Sequence, residues 1–333
     1  MHESILITGG AGFIGSNFVP YFLKKYPFYR VVNVDKLTYA GDLQNLAECE
    51  GVPNYTFIRG DICDDALVGE IFSTHDIRGV IHFAAESHVD NSITGPRAFI
   101  STNIVGTFNL LDATSKHWLM GPSRPKPGYE NCRFHHISTD EVYGALGETG
   151  LFTEITPYAP NSPYSASKAG SDFLVRAYFQ TYGLNVTISN CSNNYGPKQH
   201  SEKLIPTIIG KCLSKQSIPI YGKGQNIRDW LYVLDHCKAV DLIFHRGMAG
   251  ETYNIGGHDE RNNLQIANTI CALLDRERPL KNGKYSDLIT FVQDRPGHDL
   301  RYAIDATKLE SKLGWHAEEN FDTGIIKTLD WYL

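Results

Sequence analysis

A glycine-rich segment directly behind a short apolar run constrains this chain more than any other feature. Ser4 to Thr8 reads as a buried strand, and Thr8-Gly9-Gly10-Ala11-Gly12-Phe13-Ile14-Gly15 follows it and opens a helical pattern. The segment satisfies both G-x-G-x-x-G (Gly10, Gly12, Gly15) and G-x-x-G-x-x-G (Gly9, Gly12, Gly15). Glycines there permit a tight turn and let backbone N–H groups approach a pyrophosphate, whose charge the helix N-terminus stabilises. A Gly-rich structural turn is the competing reading, and the strand-turn-helix context counts against it.

The rest of the chain suits that beginning. Arg30–Val34, Tyr55–Ile58, Gly79–Phe83 and Phe134–Ile137 read as strands with helical patterns between them, the rhythm of βαβ units and a parallel sheet. Long helices are expected from Pro96 to about His117 and from Pro163 to about Tyr182, a surface loop over 121–128, and a kink at Pro20. After about Asn190 the elements shorten, so residues 1–190 read as a dinucleotide-binding domain and 191–333 as mainly a smaller α/β lobe, with Val186–Ser189 and Thr252–Ile255 able to join the main sheet. Near the end, Asp305 is expected to cap a helix that Gly314 stops, and another helix starts at Phe321. The fold class is α/β, a Rossmann-type doubly wound parallel sheet with a smaller C-terminal substrate-binding lobe.

Composition narrows the partners. Thirty-one Lys and Arg against 37 Asp and Glu leave a net charge of −6, which argues against a nucleic-acid binder or a basic membrane-surface protein. No apolar run is long enough to span a bilayer and the first residues lack a signal-peptide pattern, so a cytoplasmic location is expected. Seven scattered cysteines without a C-x-x-C pair read as reduced packing residues. Cys132-Arg-Phe-His135-His136 superficially suggests a metal, but adjacent strand residues face opposite sides, and no metal site is assigned.

Asp35 stands roughly 20 residues past Gly15, where a carboxylate accepts ribose hydroxyls and repels a 2′-phosphate; NAD is therefore favoured over NADP, although neighbouring Lys36 is a cation that could tolerate the phosphate. Asp61 could receive the adenine amino group or cap the following helix. Tyr164-Ser-Ala-Ser-Lys168 puts a phenol and an ammonium on one helix face, where the cation should lower the tyrosine pKa and make it a base. Thr139 ends the preceding strand. Asp140 and Glu141 follow it at the carboxyl edge, an extra acid and base beyond what simple hydride transfer needs.

Through these motifs together the chain resembles, over essentially all its length, the dTDP-glucose 4,6-dehydratases of the extended short-chain dehydrogenase/reductase family. The resemblance is carried by Thr8–Gly15, Asp35–Gly41, Gly60–Ile62, Ala84–Asp90, Ser138–Gly144, Tyr164–Lys168, Asn193–Pro197, Arg228–Tyr232 and Asp294–His298, with the T-D-E triplet beside Y-x-x-x-K as its specific signal. It implies that Tyr164, supported by Lys168 and Thr139, deprotonates the glucose 4-hydroxyl while hydride passes to NAD. Glu141 then removes the acidified C5 proton as Asp140 protonates the departing 6-hydroxyl, and hydride returns to C6. It further implies NAD contacts from Gly9, Gly12, Phe13, Ile14, Gly15, Asp35, Lys36, Leu37, Thr38, Asp61, Ile62, Ala84, Ala85, Thr102, Tyr164, Lys168 and Asn194. Nucleotide-sugar contacts are implied for Ser87, His88, Thr139, Asn193, Lys203, Leu204, Pro219, Ile220, Tyr221, Arg228, Asn263, Arg295 and His298; the cations among these suit a diphosphate.

A homodimer built on the two long helices is implied as well. Two departures stand out: Asn91 occupies a position where the family usually has Arg, and the chain ends soon after Trp331, where relatives often continue. Alternatives are a 4,6-dehydratase for another nucleotide hexose, a nucleotide-sugar 4-epimerase, which the Asp140–Glu141 pair disfavours, and an NAD- or nucleotide-sugar-sensing protein on the same fold, which the intact Tyr164–Lys168 pair disfavours.

Overall fold

The computed structural model of the chain describes residues 3–294 and 298–333. Its centre is a parallel sheet of β1 (Ser4–Thr8), β2 (Arg30–Asp35), β3 (Tyr55–Arg59), β4 (Ile77–His82), β5 (Arg133–Thr139), β6 (Val186–Cys191) and β7 (Thr252–Ile255). In space they run β7-β6-β5-β4-β1-β2-β3. Strand order reverses between β1 and β4, and an open sheet of this kind binds ligands in the crevice outside the carboxyl ends at that point.

The pleat divides β1 between two cores. Ile5 and Ile7 join Phe18, Phe22, Val240 and Ile243 on one face, while Leu6 joins Val68, Phe72, Leu110 and Phe134 on the other. A strand buried on both faces must be apolar throughout, which is why Ile-Leu-Ile shows no polar alternation. Pairing in register sets Thr8 level with Val34 and His82, so the segments that follow these strands emerge together.

Helix α1 (Phe13–Lys25) continues as one element through Pro20. The long helix expected from Pro96 instead has three parts: Pro96–Phe99, a π-helical stretch Ile100–Gly106, and Thr107–Trp118. Asn103 in that stretch is drawn inward, its Oδ1 accepting from Glu86 N at 2.8 Å and its Nδ2 donating to Glu86 O at 3.0 Å and Ser167 Oγ at 2.8 Å. The expected surface loop contains a small hairpin, Leu119–Gly121 against Arg124–Pro125. Helix α2 (Pro163–Tyr182) matches its expected bounds; Ser162 and Ser165 form its capping box, with proline in the first turn.

Beyond residue 190 the chain returns to the main sheet through β7. It also builds a three-stranded sheet from Asn193–Tyr195, Ile227–Tyr232 and Glu260–Asn262, and a parallel pair from Ile218–Tyr221 and Ile289–Val292. Helices α3 (Leu204–Leu213) and α4 (Asn263–Glu277) pack here around a third core that includes Ile208, Ile270, Leu274 and Phe321. Near the end, Asp305 Oδ1 accepts from Thr307 N at 2.9 Å, Ala306 takes the cap position itself, and Gly314 ends the helix at φ +75°. The final helix starts at Phe321 as expected, capped by Asn320.

Candidate active site

The glycine loop is held by the backbone on both sides. Gly9 has φ +73°, and a Cβ there would stand 2.5 Å from Ala84 N; a Cβ on Gly15 would stand 2.3 Å from Gly9 O. Neither position has room for a side chain. At the start of α1, Gly12 is the cap residue without a side-chain cap, and no acidic residue occupies the first turn. The first amides of a helix have no intrahelical acceptor, so this end presents unpaired N–H groups and positive potential to the cleft. The cleft is lined by Gly9, Gly12, Phe13, Ile14, Gly15, Asp35, Lys36, Thr38, Asp61, Ile62, Ala84, Ala85 and Thr102, a set that fits a dinucleotide.

Asp35 is oriented by two amides: Ala11 N donates to Oδ2 at 2.9 Å and Leu37 N to Oδ1 at 2.8 Å. Leu37 takes φ 56° in this turn and does not line the cleft. Lys36 Nζ lies 2.7 Å from Asp61 Oδ2. Burial opposes the Asp61 carboxylate, but Lys36 and the Cys63 amide outweigh it and hold the group below the ordinary aspartate range. The helix cap considered for Asp61 belongs to Asp64, whose Oδ1 accepts from Leu67 N at 3.0 Å.

The chemical end of the same cleft holds Thr139, Asp140, Glu141, Tyr164 and Lys168. Lys168 Nζ donates to Ile137 O at 2.7 Å. Burial brings this ammonium down to about 8, with the Asp172 charge opposing the fall. Burial and then the Glu141 charge push Tyr164 well above the ordinary tyrosine range, and the hydrogen bond with Thr139 only partly offsets them. This corrects the expectation that Lys168 lowers the tyrosine pKa: the dry cleft disfavours phenolate and ammonium alike, and the resting group is a phenol.

Asp140 differs sharply from its neighbour. It is 1% exposed, with Oδ1 3.3 Å from Thr139 Oγ1 and Oδ2 buried without a hydrogen-bond partner. Burial, then the charges of Glu141 and Asp229, push its carboxyl well above the ordinary range. Glu141 is only half-buried and its amide donates to Thr139 Oγ1 at 3.3 Å. Two adjacent carboxyls in different surroundings can therefore serve as acid and base.

The substrate-side expectations divide. Ser87, Asn193, Asn194 and Lys203 line the cleft, with Lys203 Nζ donating to Ser87 O at 3.1 Å and His236 Nδ1 2.9 Å from Asn194 Oδ1. His88, Leu204, Pro219, Ile220, Tyr221, Arg228, Asn263 and His298 lie outside its lining. His88 pairs with Glu202 at 3.7 Å, and Leu204 and Asn263 open α3 and α4. Pro219, Ile220 and Tyr221 sit in the parallel pair, and His298 lies 2.6 Å from Asp294. Arg228 is 5% exposed and donates to the carbonyls of Ile227 at 2.7 Å and Asp299 at 3.0 Å. Arg295 falls outside the described residues.

Asn91 lies exposed on the short helix Val89–Thr94. His135 and His136 are both fully buried, the first 2.9 Å from Thr187 Oγ1 and the second 3.2 Å from Asp172 Oδ1. Sequence reasoning missed Asn103, Asp172 and Glu202. A polar residue on the apolar face of a helix is the only signal for the first two, and Glu202 carried none.

The family profile for GDP-mannose 4,6 dehydratase matches residues 6–328. A dTDP-glucose 4,6-dehydratase of Xanthomonas campestris pv. campestris (strain B100) is 55% identical over 329 residues, 98% of this chain and 92% of that protein. Among solved structures, the dTDP-glucose 4,6-dehydratase of Streptomyces venezuelae with NAD and TYD bound is similar at TM-score 0.89 and 42% identity, covering 99% of this chain and 96% of that one. The Bacillus anthracis str. Ames enzyme in complex with NAD gives TM-score 0.86 and 43% identity over the same shares. Identity at this level over nearly the whole length of the chain leaves one conclusion: the chain belongs to the dTDP-glucose 4,6-dehydratase family.

Proposed function

We infer that the chain dehydrates dTDP-glucose to dTDP-4-keto-6-deoxyglucose, with NAD as its cofactor. The observation that carries this is Asp140, buried and with its carboxyl pushed well above the ordinary range, beside the half-buried Glu141 in one cleft with Tyr164 and the glycine loop. The chemistry supplied by bound NAD would be a hydride acceptor for C4 of the sugar and, once reduced, a hydride donor for C6. The Phe13 and Ile14 amides and Asp35 would hold its pyrophosphate and ribose.

Tyr164 receives the 4-hydroxyl proton. Because burial keeps it a phenol at rest, it must first give up its own proton to solvent; the Thr139 hydroxyl and the Lys168 ammonium then support the phenolate that takes the 4-hydroxyl proton. The ketone at C4 acidifies C5, and Glu141 removes that proton as Asp140 gives its own to the departing 6-hydroxyl; once hydride is back at C6, Glu141, exchanged with solvent, returns a proton to C5. Burial suits each partner: the more buried carboxyl arrives protonated, the more exposed one arrives as base.

We read residues 1–190 as the cofactor lobe and 191–333 as mainly the sugar-nucleotide lobe, supported by the third core around α3 and α4. We further read the protein as a homodimer. Ile100, Val105 and Phe108 on the helix from Pro96 and Phe173 on α2 are 43–58% exposed, an apolar surface suited to two-fold helix packing. A cytoplasmic location is supported by seven unbridged cysteines. No described helix is long and apolar enough to cross a membrane.

Incubation with NAD and dTDP-glucose in deuterated water tests the reading. Deuterium at C5 of a 6-deoxy-4-keto product is expected; dTDP-galactose as product overturns it. Sedimentation at micromolar protein tests the dimer, a monomer at every concentration being the contrary result.

A further inference from the structure

Asp172 sits one helical turn beyond Lys168 on α2 and has no part in the reaction as described so far. It is 2% exposed. Its Oδ2 accepts from Ser138 Oγ at 2.8 Å and from Tyr158 OH at 3.0 Å, and His136 Nε2 lies 3.2 Å from its Oδ1. Tyr158 is itself fixed by Asn190 Nδ2 at 3.2 Å. A carboxylate so deep in the protein persists only with a compensating charge or a full set of donors.

The groups facing it can be taken element by element. From β5 come His136 and Ser138; burial pushes His136 well below the ordinary histidine range, so it is neutral. From the segment between β5 and α2 come Tyr143 and Tyr158, both raised by burial and uncharged. From β6 come Asn190 and Cys191, the thiol pushed up to about 12 by burial. From α2 itself comes Lys168. Among the groups named here this ammonium is the one cation; it lies beyond direct ion-pair contact, and its charge opposes the burial that raises Asp172 to about 6.

The two charges also fasten the same stretch of β5 from the same helix. Lys168 takes the Ile137 carbonyl and Asp172 takes the Ser138 hydroxyl, and the next residues along the chain are Thr139 and Asp140. We propose that Asp172 is a positioning residue for this reaction: its buried carboxylate is the counter-charge that keeps Lys168 an ammonium and clamps α2 onto the strand end carrying Thr139. The proposal rests on the reading of Lys168 as support for Tyr164. It gives Asp172 no contact with substrate or cofactor.

The sign follows from the geometry. Burial drives Lys168 toward the neutral amine and the Asp172 charge opposes it, so removing that charge lowers the pH at which the ammonium is lost. In the kcat–pH profile of the NAD-loaded enzyme, Asp172→Asn is expected to move the alkaline limb to lower pH by about one unit or more. Asp172→Glu should bring the limb back toward the wild-type position. Tyr158→Phe removes a donor but no charge and should leave the limb where it is, which separates charge from packing. Asp172→Ser gives the same reading if the Asn variant does not fold.

A neutral variant whose limb coincides with wild type overturns the proposal, as does a Tyr158→Phe profile shifted as far as that of Asp172→Asn. Lys168→Met distinguishes the two levels. Wild-type turnover in that variant overturns the role of Lys168 itself, whereas impaired turnover with an unmoved Asp172→Asn limb overturns only the part given to Asp172.

Discussion

Lys36 Nζ and Asp61 Oδ2 lie 2.7 Å apart, joining the segments that follow β2 and β3 across the cofactor cleft. The pair answers the ambiguity that a cation beside Asp35 creates. A lysine already engaged by a carboxylate has less positive potential to offer a 2′-phosphate, so Asp35 decides the preference for NAD. Asp61→Ala should release the ammonium and improve NADP binding relative to NAD by about fivefold, the roughly 1 kcal/mol that a largely exposed pair is worth. Comparative cofactor titration checks this, and an unchanged ratio contradicts the role given to the pair.

Tyr164 is 8% exposed and shares the cleft with Thr139 and Lys168. Tyr164→Phe keeps the ring's packing and removes the proton acceptor. Turnover should fall about 100-fold or more, the scale of a lost general base. NAD affinity, measured by fluorescence titration, should stay near wild type. Loss of both together would mean that the hydroxyl holds the fold of the cleft rather than the reaction.

Glu141→Gln separates the two halves of the chemistry. Oxidation at C4 needs Tyr164 and Lys168, while proton removal at C5 needs Glu141. The variant should therefore build up reduced cofactor with a sugar that retains its 6-hydroxyl, and solvent deuterium should fail to enter C5. Mass spectrometry of the quenched sugar nucleotide reads both outcomes. Wild-type deuterium uptake would assign the base elsewhere.

Gly15 meets the backbone so closely that a methyl group would sit 2.3 Å from Gly9 O and 2.7 Å from Gly10 Cα. Gly15→Ala must displace the loop from the start of α1. NAD affinity should drop at least tenfold by calorimetric titration, with thermal stability lowered as well. Unchanged affinity would show that the loop has a second arrangement competent to bind.

How much of this could be read without coordinates depended on the kind of interaction. Ile5-Leu6-Ile7 announces a strand buried on two faces, and the glycine spacing announces the loop behind it, because both follow from local backbone geometry. The Tyr164–Lys168 pair is equally legible, since residues four apart share a helix face. What spacing does not carry is the dielectric around a group or the partner it finds across the fold. Lys168 was expected to acidify Tyr164, yet burial governs both. Arg228 reads as a phosphate ligand in sequence, and spacing gives no sign of the Ile227 and Asp299 carbonyls that fix its guanidinium in the structure. Asn103 and Asp172 look like ordinary polar helix residues until Glu86 and Ser138, distant in the chain, are placed against them.

The burial of Asp140 has a consequence for stability that needs no substrate. Its folded-state pKa is raised above the unfolded value, so its contribution to stability is fully present below the ordinary aspartate pKa and is lost as pH rises through the raised one. Asp140→Asn removes this dependence while keeping the shape of the side chain. Urea unfolding of both proteins from about pH 4 to neutrality should therefore show the variant gaining on wild type as pH rises. Asp172 titrates in both proteins and cancels from the difference. A gap that stays constant with pH, or closes, would mean that Asp140 is ionised in the folded protein, and the assignment of this residue as the proton donor to the departing hydroxyl would fall with it.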